Sequence, residues 1–334
     1  MSPSPRNKSR KATTKRREGD KTSGSRNSDS GPVADSSRAL NITAALLRDW
    51  PLPQPDEDGD KEDRGRVLVV GGAPEMPGAV ILAATAALRA GAGKLQIATC
   101  RSIAQAVAVA VPESRVIALP ETKAGAIAAS AAQEILEHAN RAQSVLIGPG
   151  MVGEEVIARL LKQILSGIEN ATLLLDAGAL VCVEGDDECL HALKGEVVLT
   201  PHAGEMAKML GREKEDVARD PLATARRTAR QLRAVIALKG RETFIVGPDG
   251  KAYCNRTGNV GLATSGSGDT LSGIITGLAA RGASPLQAAT WGVYLHGRAG
   301  DTLARRMGRL GFLARELLAE VPALMSELER PGKR

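Results

Sequence analysis

From residue 66 onward, short aliphatic blocks alternate with longer stretches whose apolar positions recur every three or four residues. The blocks at 66–70, 94–99, 115–119, 144–147, 172–175, 196–199 and 234–238 have the length and composition of strands buried on both faces. Between them the helical spacing predicts helices over 79–90, 102–111, 124–140, 154–165, 203–210 and 216–233, with three more starting at Ser267, Pro285 and Phe312. Segments 243–246 and 252–254 flank Gly247-Pro-Asp-Gly250, a hairpin turn. Upstream, 36–50 reads as a short amphipathic helix. Pro51, Pro53 and Pro55, with the acidic run to Arg64, read as a linker or exposed loop. Strands alternating with helices imply an α/β domain built on a central, mostly parallel sheet with helices on both faces. Ligands of such sheets sit beyond the carboxyl ends of the strands. Gly71-Gly72, Gly148-Pro-Gly150, Asp176, Thr200-Pro-His202 and Lys239-Gly240 all fall at those ends, so one crevice is expected to collect them.

Composition adds a boundary. Residues 1–31 hold nine Lys/Arg and three Asp/Glu, which is the whole net charge of +6. Residues 1–35 have almost nothing apolar and are expected to be a disordered basic tail, with 36–330 as the folded domain. A nucleic-acid-binding domain would carry its basic patch on the fold. Aromatic residues at 2% leave no base-stacking stripe and imply an aliphatic, Ala-rich core. No apolar run reaches membrane length and no signal-peptide core follows the basic start, so a cytoplasmic protein is expected. The four cysteines show no C-x-x-C spacing, which points to reduced thiols rather than zinc or a redox pair.

The chemistry concentrates in 255–273, NRTGNVGLATSGSGDTLSG. A polar, Gly-rich loop runs into a helix with Asp269 in its first turn. Amides of Gly266, Ser267 and Gly268, together with the helix dipole, form a place for phosphate, and a carboxylate beside it can take a proton from an attacking hydroxyl. Other motifs are weaker. Gly91-Ala-Gly-Lys94 has Leu88 and Leu95 where a P-loop needs Gly and Ser or Thr. Gly148-Pro-Gly-Met-Val-Gly153 matches G-x-G-x-x-G, but the acid that ends the next strand, Asp176, lies beyond the usual ~20 residues. His202, in Thr-Pro-His-Ala-Gly-Glu205, is placed for a pocket-facing turn. His296 reads as packing. Lys239-Gly-Arg-Glu-Thr243 reads by itself as a surface turn, with a nucleotide clamp as the alternative.

In order along the chain, Gly71-Gly-Ala-Pro-Glu-Met-Pro-Gly-Ala79, Arg89-Ala-Gly-Ala-Gly93, Gly148-Pro-Gly150, Leu175-Asp-Ala177, Thr200–Glu205, Lys239-Gly240, Thr257-Gly-Asn259, Gly266-Ser-Gly-Asp269, His296-Gly297 and Ala299-Gly-Asp301 resemble the ADP/ATP-dependent NAD(P)H-hydrate dehydratases. The resemblance covers about residues 40–330 and implies a ribokinase-like fold. It implies repair of NADHX and NADPHX, the hydrated cofactors, by phosphorylation of the ring hydroxyl and loss of phosphate. It implies Asp269 as the base and Gly268 as part of the anion hole. Lys239, Gly240, Arg241, Glu242, Thr243 and Gly268 would line the adenine-nucleotide site. Ala79, Gly150, His202 and Asp269 would meet the hydrate. The implied cofactors are ADP or ATP, with ADP favoured by the standalone layout, and Mg2+; no residue is assigned as a metal ligand. A homo-oligomer such as a tetramer, a separate NAD(P)HX epimerase, and no nucleic-acid or membrane partner complete the expectation. One departure is Asp176-Ala-Gly178 where the family often reads Asp-Ala-Asp, which leaves Asp176 alone. The competing readings are a ribokinase-like kinase for a thiazole, pyrimidine or sugar alcohol, a nicotinamide-dependent oxidoreductase built on Gly148–Gly153, and a binding module.

Overall fold

A computed structural model describes residues 38–55, 58, 60–186, 188–191, 193 and 196–329. The expected basic tail, residues 1–35, lies outside them. The chain opens with β1 (Leu40–Asn41), α1 (Ala44–Asp49), β2 (Arg66–Val70), α2 (Pro77–Arg89), β3 (Lys94–Cys100), α3 (Arg101–Ala110) and β4 (Ser114–Leu119). It continues with α4 (Ala132–Ala139), β5 (Ser144–Ile147), α5 (Glu154–Ile164), β6 (Thr172–Leu175), β7 (Val197–Leu199), α6 (Ala203–Met209), α7 (Lys214–Arg219) and α8 (Pro221–Leu232). Last come β8 (Val235–Leu238), β9 (Thr243–Val246), β10 (Ala252–Asn255), α9 (Ser267–Ala280), α10 (Pro285–Met307) and α11 (Ala314–Glu329).

Among the described residues the ten strands form one sheet in the order β1-β10-β9-β8-β7-β6-β5-β2-β3-β4. From β8 through β4 every neighbour is parallel; β9 alone runs against the rest. Strands β2, β5 and β6 lie near the middle, and all but the first residue of β2 and of β6 are fully buried. That burial on both faces is why these segments are unbroken aliphatic runs. Helices cover both faces of the sheet. One helix pair sets the position of the crevice. Gly273 and Gly277 of α9, one turn apart, face the Ala83 and Ala87 carbonyls of α2, where an added Cβ would overlap the backbone. The two helices therefore pack backbone to backbone, which fixes the first turn of α9 beside the first turn of α2. No helix among the described residues is long and apolar enough to cross a membrane.

Three expected elements differ. The predicted helix at 36–50 is an edge strand followed by a shorter helix. Ile42 donates to the Cys254 carbonyl at 2.9 Å. The segment after it is docked rather than loose. Trp50 stacks on Tyr253 with centroids 5.6 Å apart, and its carbonyl accepts from the Trp291 indole at 2.9 Å. Pro51 and Pro53 offer their carbonyls to Gln287 and Arg281. The predicted helix at 124–140 begins later because Gly125 sits in a turn at φ +79°. The predicted helix at 216–233 is broken at Asp220-Pro221, where the Asp220 carboxylate caps Ala223 N at 3.0 Å and Pro221 takes the first helical position.

Candidate active site

The crevice is built from the carboxyl ends of β5, β6, β7 and β8, which are neighbours in the sheet, and from the N-terminus of α9. Asp176 leaves β6 and is 2% exposed. The Thr200 hydroxyl, leaving β7, donates to Asp176 Oδ1 at 2.7 Å. Lys239, leaving β8, reaches the same oxygen at 3.2 Å and Glu205 Oε2 at 3.8 Å. Its own amide donates to the Pro201 carbonyl at 2.8 Å, which ties the two strand ends together. The Lys239 side chain is only 20% exposed. This corrects the surface-turn reading: three strand ends and α6 converge here, and an ammonium among carboxylates is what makes their burial tolerable. Burial disfavours the charged lysine, but Asp176, Glu205 and Asp269 outweigh it and hold its pKa above the ordinary value.

α9 opens without a side-chain cap, on Gly266 at φ +85°. By position the amide of Gly268 has no carbonyl within the helix, so it is left to a ligand or water, whereas the Asp269 amide bonds its own carboxylate. A Cβ added to Gly268 would meet only Lys239 Nζ, at 3.5 Å. Burial first, and then the negative charge of Asp176, push the Asp269 carboxyl up to about 6. Lys239 pulls the other way. A carboxylate with that pKa is half-protonated near pH 6, where a base is effective without being inert. Beneath the turn, Ser267 Oγ lies 3.0 Å from His296 Nε2. Burial lowers that imidazole to about 4, so it is neutral at working pH. His296, read from sequence as packing, thus holds the first serine of α9.

The preceding loop is anchored from α10. Asp301 accepts from Gly258 N at 3.0 Å and from Asn259 Nδ2 at 3.1 Å. Asn255 accepts from the Thr257 hydroxyl at 2.9 Å. These bonds set the 255–262 loop in one shape ahead of the glycines.

The other predicted residues are distributed as follows. Gly150, at φ +65°, lies against α2, where an added Cβ would sit 2.9 Å from Ala79 Cβ and 2.7 Å from the Met76 carbonyl. Gly266 packs on Leu82, three residues beyond Ala79 on the same helix. Ala79 and Gly150 therefore adjoin each other and the α9 turn. His202 accepts from the Gly204 and Glu205 amides, each at 3.0 Å through Nδ1, while Glu205 accepts from His202 N at 2.7 Å. This is a capping box on α6 with His in the serine position. The His202 side chain stays 59% exposed, with Nε2 3.7 Å from Glu205 Oε2. Gly240 and Arg241 are exposed, and Thr243 opens β9. Glu242 is taken by Arg256 at 2.7 Å. Thr200 and Glu205, whose bonds organise the site around the lysine, carry no signal of that role in the sequence beyond lying at the end of β7 and in the first turn of α6.

The side chains present suit a divalent cation that travels with phosphates. No set of three His, Cys, Asp or Glu among the described residues is arranged to hold one unaided. Magnesium commonly uses one or two carboxylates plus phosphate oxygens and water. Ala177, next to Asp176, is a non-glycine residue at φ +48°, and backbone strain of this kind gathers at functional turns. At Gly178 a side chain would begin 3.0 Å from the Met151 carbonyl and 3.2 Å from Ile157, so a second aspartate there would press on α5 and its approach.

Comparison with known proteins gives one family. Residues 67–323 match the model described as NAD(P)H-hydrate dehydratase. An ADP-dependent (S)-NAD(P)H-hydrate dehydratase of Xanthomonas campestris is 48% identical over 88% of this chain and 98% of its own length. A bifunctional NAD(P)H-hydrate repair enzyme of Moorella thermoacetica is 43% identical over 86% of this chain, and the chain spans 54% of it. The crystal structure of the ADP/ATP-dependent NAD(P)H-hydrate dehydratase of Bacillus subtilis, co-crystallised with ATP/Mg2+, superposes with a TM-score of 0.75 at 30% identity, covering 88% of this chain and 100% of that one.

Proposed function

This chain belongs to the NAD(P)H-hydrate dehydratase family, and we propose that its crevice performs the ADP-dependent dehydration of (S)-NADHX and NADPHX to NADH and NADPH. It is then a hydro-lyase that repairs damaged cofactors. The observation that carries the chemistry is Asp269: a carboxyl raised to about 6, in the first turn of an uncapped helix, beside a protonated lysine.

Asp269 takes the proton of the ring hydroxyl as that oxygen attacks a phosphoryl group of the nucleotide. The Gly268 amide and the α9 dipole stabilise the charge that develops on the phosphoryl oxygens. Lys239, from the end of β8, adds a positive charge beside that turn. Departure of the phosphate from the ring then restores the double bond. Ala79 and Gly150 support the hydrate on the α2 side, and His202 offers Nε2 from the β7 side. Lys239 through Thr243 lead from the phosphates toward the adenine. Asp176 and Glu205 are the carboxylates that would hold a Mg2+ brought by the nucleotide, which would supply offsetting charge to the phosphates.

The activity that the bifunctional relatives hold outside the matching half would come from a separate NAD(P)HX epimerase chain, and the active form would be a homo-oligomer. The test is to incubate the protein with NADHX and ADP or ATP and follow NADH absorbance. Recovery of NADH with one phosphate released per turnover is expected. Nucleotide-dependent formation of a stable phosphorylated alcohol without NADH would assign a kinase instead.

A further inference from the structure

The ion pair between Glu242 and Arg256 stands at the crevice end of the sheet and takes no part in the chemistry above. Arg256 Nε donates to Glu242 Oε1 at 2.7 Å. Topology puts both residues at that end. β9 runs against its neighbours, so the residues before Thr243 lie on the side where β6, β7 and β8 finish. β10 is antiparallel to β9, with Asn255 opposite Thr243, so Arg256 leaves the sheet on the same side. Glu242 is three residues beyond Lys239. The turn between them is tight: a Cβ on Gly240 would sit 3.1 Å from the Glu242 carbonyl. As a stability device the pair is weak. Its side chains are 61% and 41% exposed, and an ion pair so placed contributes little.

We propose that Glu242, held in place by Arg256, accepts the ribose hydroxyls of the adenine nucleotide and makes the site selective for a ribonucleotide. This rests on the nucleotide-dependent reading of the crevice, in which the phosphates lie between Gly268 and Lys239. Lys239 Nζ is 3.5 Å from the point that a Gly268 Cβ would occupy. A nucleotide with its phosphates there has its sugar next along the 239–243 turn, where Glu242 stands. A carboxylate is an acceptor only. It repels phosphate oxygens and finds no donor on them. The sugar offers two neighbouring hydroxyls, and the adenine amino group lies further on. In dinucleotide-binding sheets an acid near a strand end likewise takes a ribose hydroxyl.

Arg256 acts through Glu242. Its bond to one oxygen fixes the direction of the carboxylate and leaves acceptor capacity for the sugar. Its charge also offsets a negative group that would otherwise repel the incoming phosphates. Glu242 is thus a binding residue and Arg256 a positioning residue.

The test compares ADP with dideoxy-ADP, which lacks both ribose hydroxyls, by calorimetry on the full chain. The wild type should bind the dideoxy form at least about tenfold more weakly, as expected for lost hydrogen bonds to a charged group. Glu242→Ala should bind ADP about as weakly as the wild type binds the dideoxy form, so that its two affinities nearly coincide. Arg256→Met should narrow the ratio without closing it. Both variants should melt within about 3 °C of wild type, which separates lost ribose recognition from lost fold. Equal affinity of the wild type for the two nucleotides would overturn the proposal. So would a wild-type ratio that survives in Glu242→Ala. If the folded wild type binds neither nucleotide, the nucleotide site itself falls and the proposal with it; equal affinities overturn the proposal alone.

Discussion

Gly148 and Gly268 occupy like places, each where a glycine-rich turn feeds a helix, and a Cβ added to them would meet very different surroundings. At Gly148, at φ +128°, it would overlap the Asp176 carbonyl oxygen. At Gly268 it would find only the tip of Lys239, 3.5 Å away. The first glycine lets two strand ends of the same chain close on each other. The second leaves room for something that is not protein. A G-x-G-x-x-G spacing cannot tell these apart, because both need a small residue. The surroundings can, and they place the open turn at Gly268, beside the one carboxyl among the described residues that is pushed toward neutrality.

Gly148→Ala should give the largest effect. The left-handed φ and the overlap with backbone together cost at least ~4 kcal/mol, or leave no folded protein, by thermal or urea unfolding. Only slightly smaller is Lys239→Met, which strands the buried Asp176 with Thr200 alone. A loss of about 3 kcal/mol is expected, as for a broken buried ion pair. The same change removes the charge that pulls Asp269 down, so the acid limb of any remaining activity should move to higher pH.

Asp269→Asn should move stability the other way. The folded pKa of about 6 lies above the ordinary 3.8, so the wild-type carboxyl favours the folded state fully below pH ~4 and loses that advantage as pH rises through about 6. The Asn variant should match wild type near pH 4 and be roughly 2–3 kcal/mol more stable above pH ~7. Equal stability of the two proteins at all pH values would mean that Asp269 is not held in a costly state. Gly268→Ala should be nearly silent in unfolding, within about 1 kcal/mol. It should still weaken nucleotide binding about tenfold, or ~1.4 kcal/mol by calorimetry. If it unfolds the protein as Gly148→Ala does, the two turns are alike after all.

Much of this was legible in the chain. The strands at 66–70, 144–147, 172–175 and 243–246 sit where their aliphatic runs put them, and Asp176, Thr200 and Lys239, at the ends of β6, β7 and β8, do meet in one crevice. What failed has physical causes. β1 is two residues long and exists by pairing with β10, a contact between segments over two hundred residues apart that no local pattern encodes. The break at Asp220-Pro221 was written in the sequence as a cap followed by a first-turn proline, but the helical spacing ran through it. Lys239 looked like a turn residue because its burial depends on carboxylates from β6 and α6.

The central claim is that Asp269 is the base at an anion hole made by backbone. It is tested most directly by one paired measurement on Asp269→Asn: nucleotide affinity by calorimetry and NADH regeneration from NADHX across pH. Wild-type turnover should rise through pH about 6. The variant should bind nucleotide as well as wild type or better, since the amides and dipole remain, and should regenerate NADH about 10²–10⁴-fold more slowly with no such rise. Retention of more than about a tenth of wild-type turnover would place the base elsewhere by the same arithmetic, with Asp176 next in line.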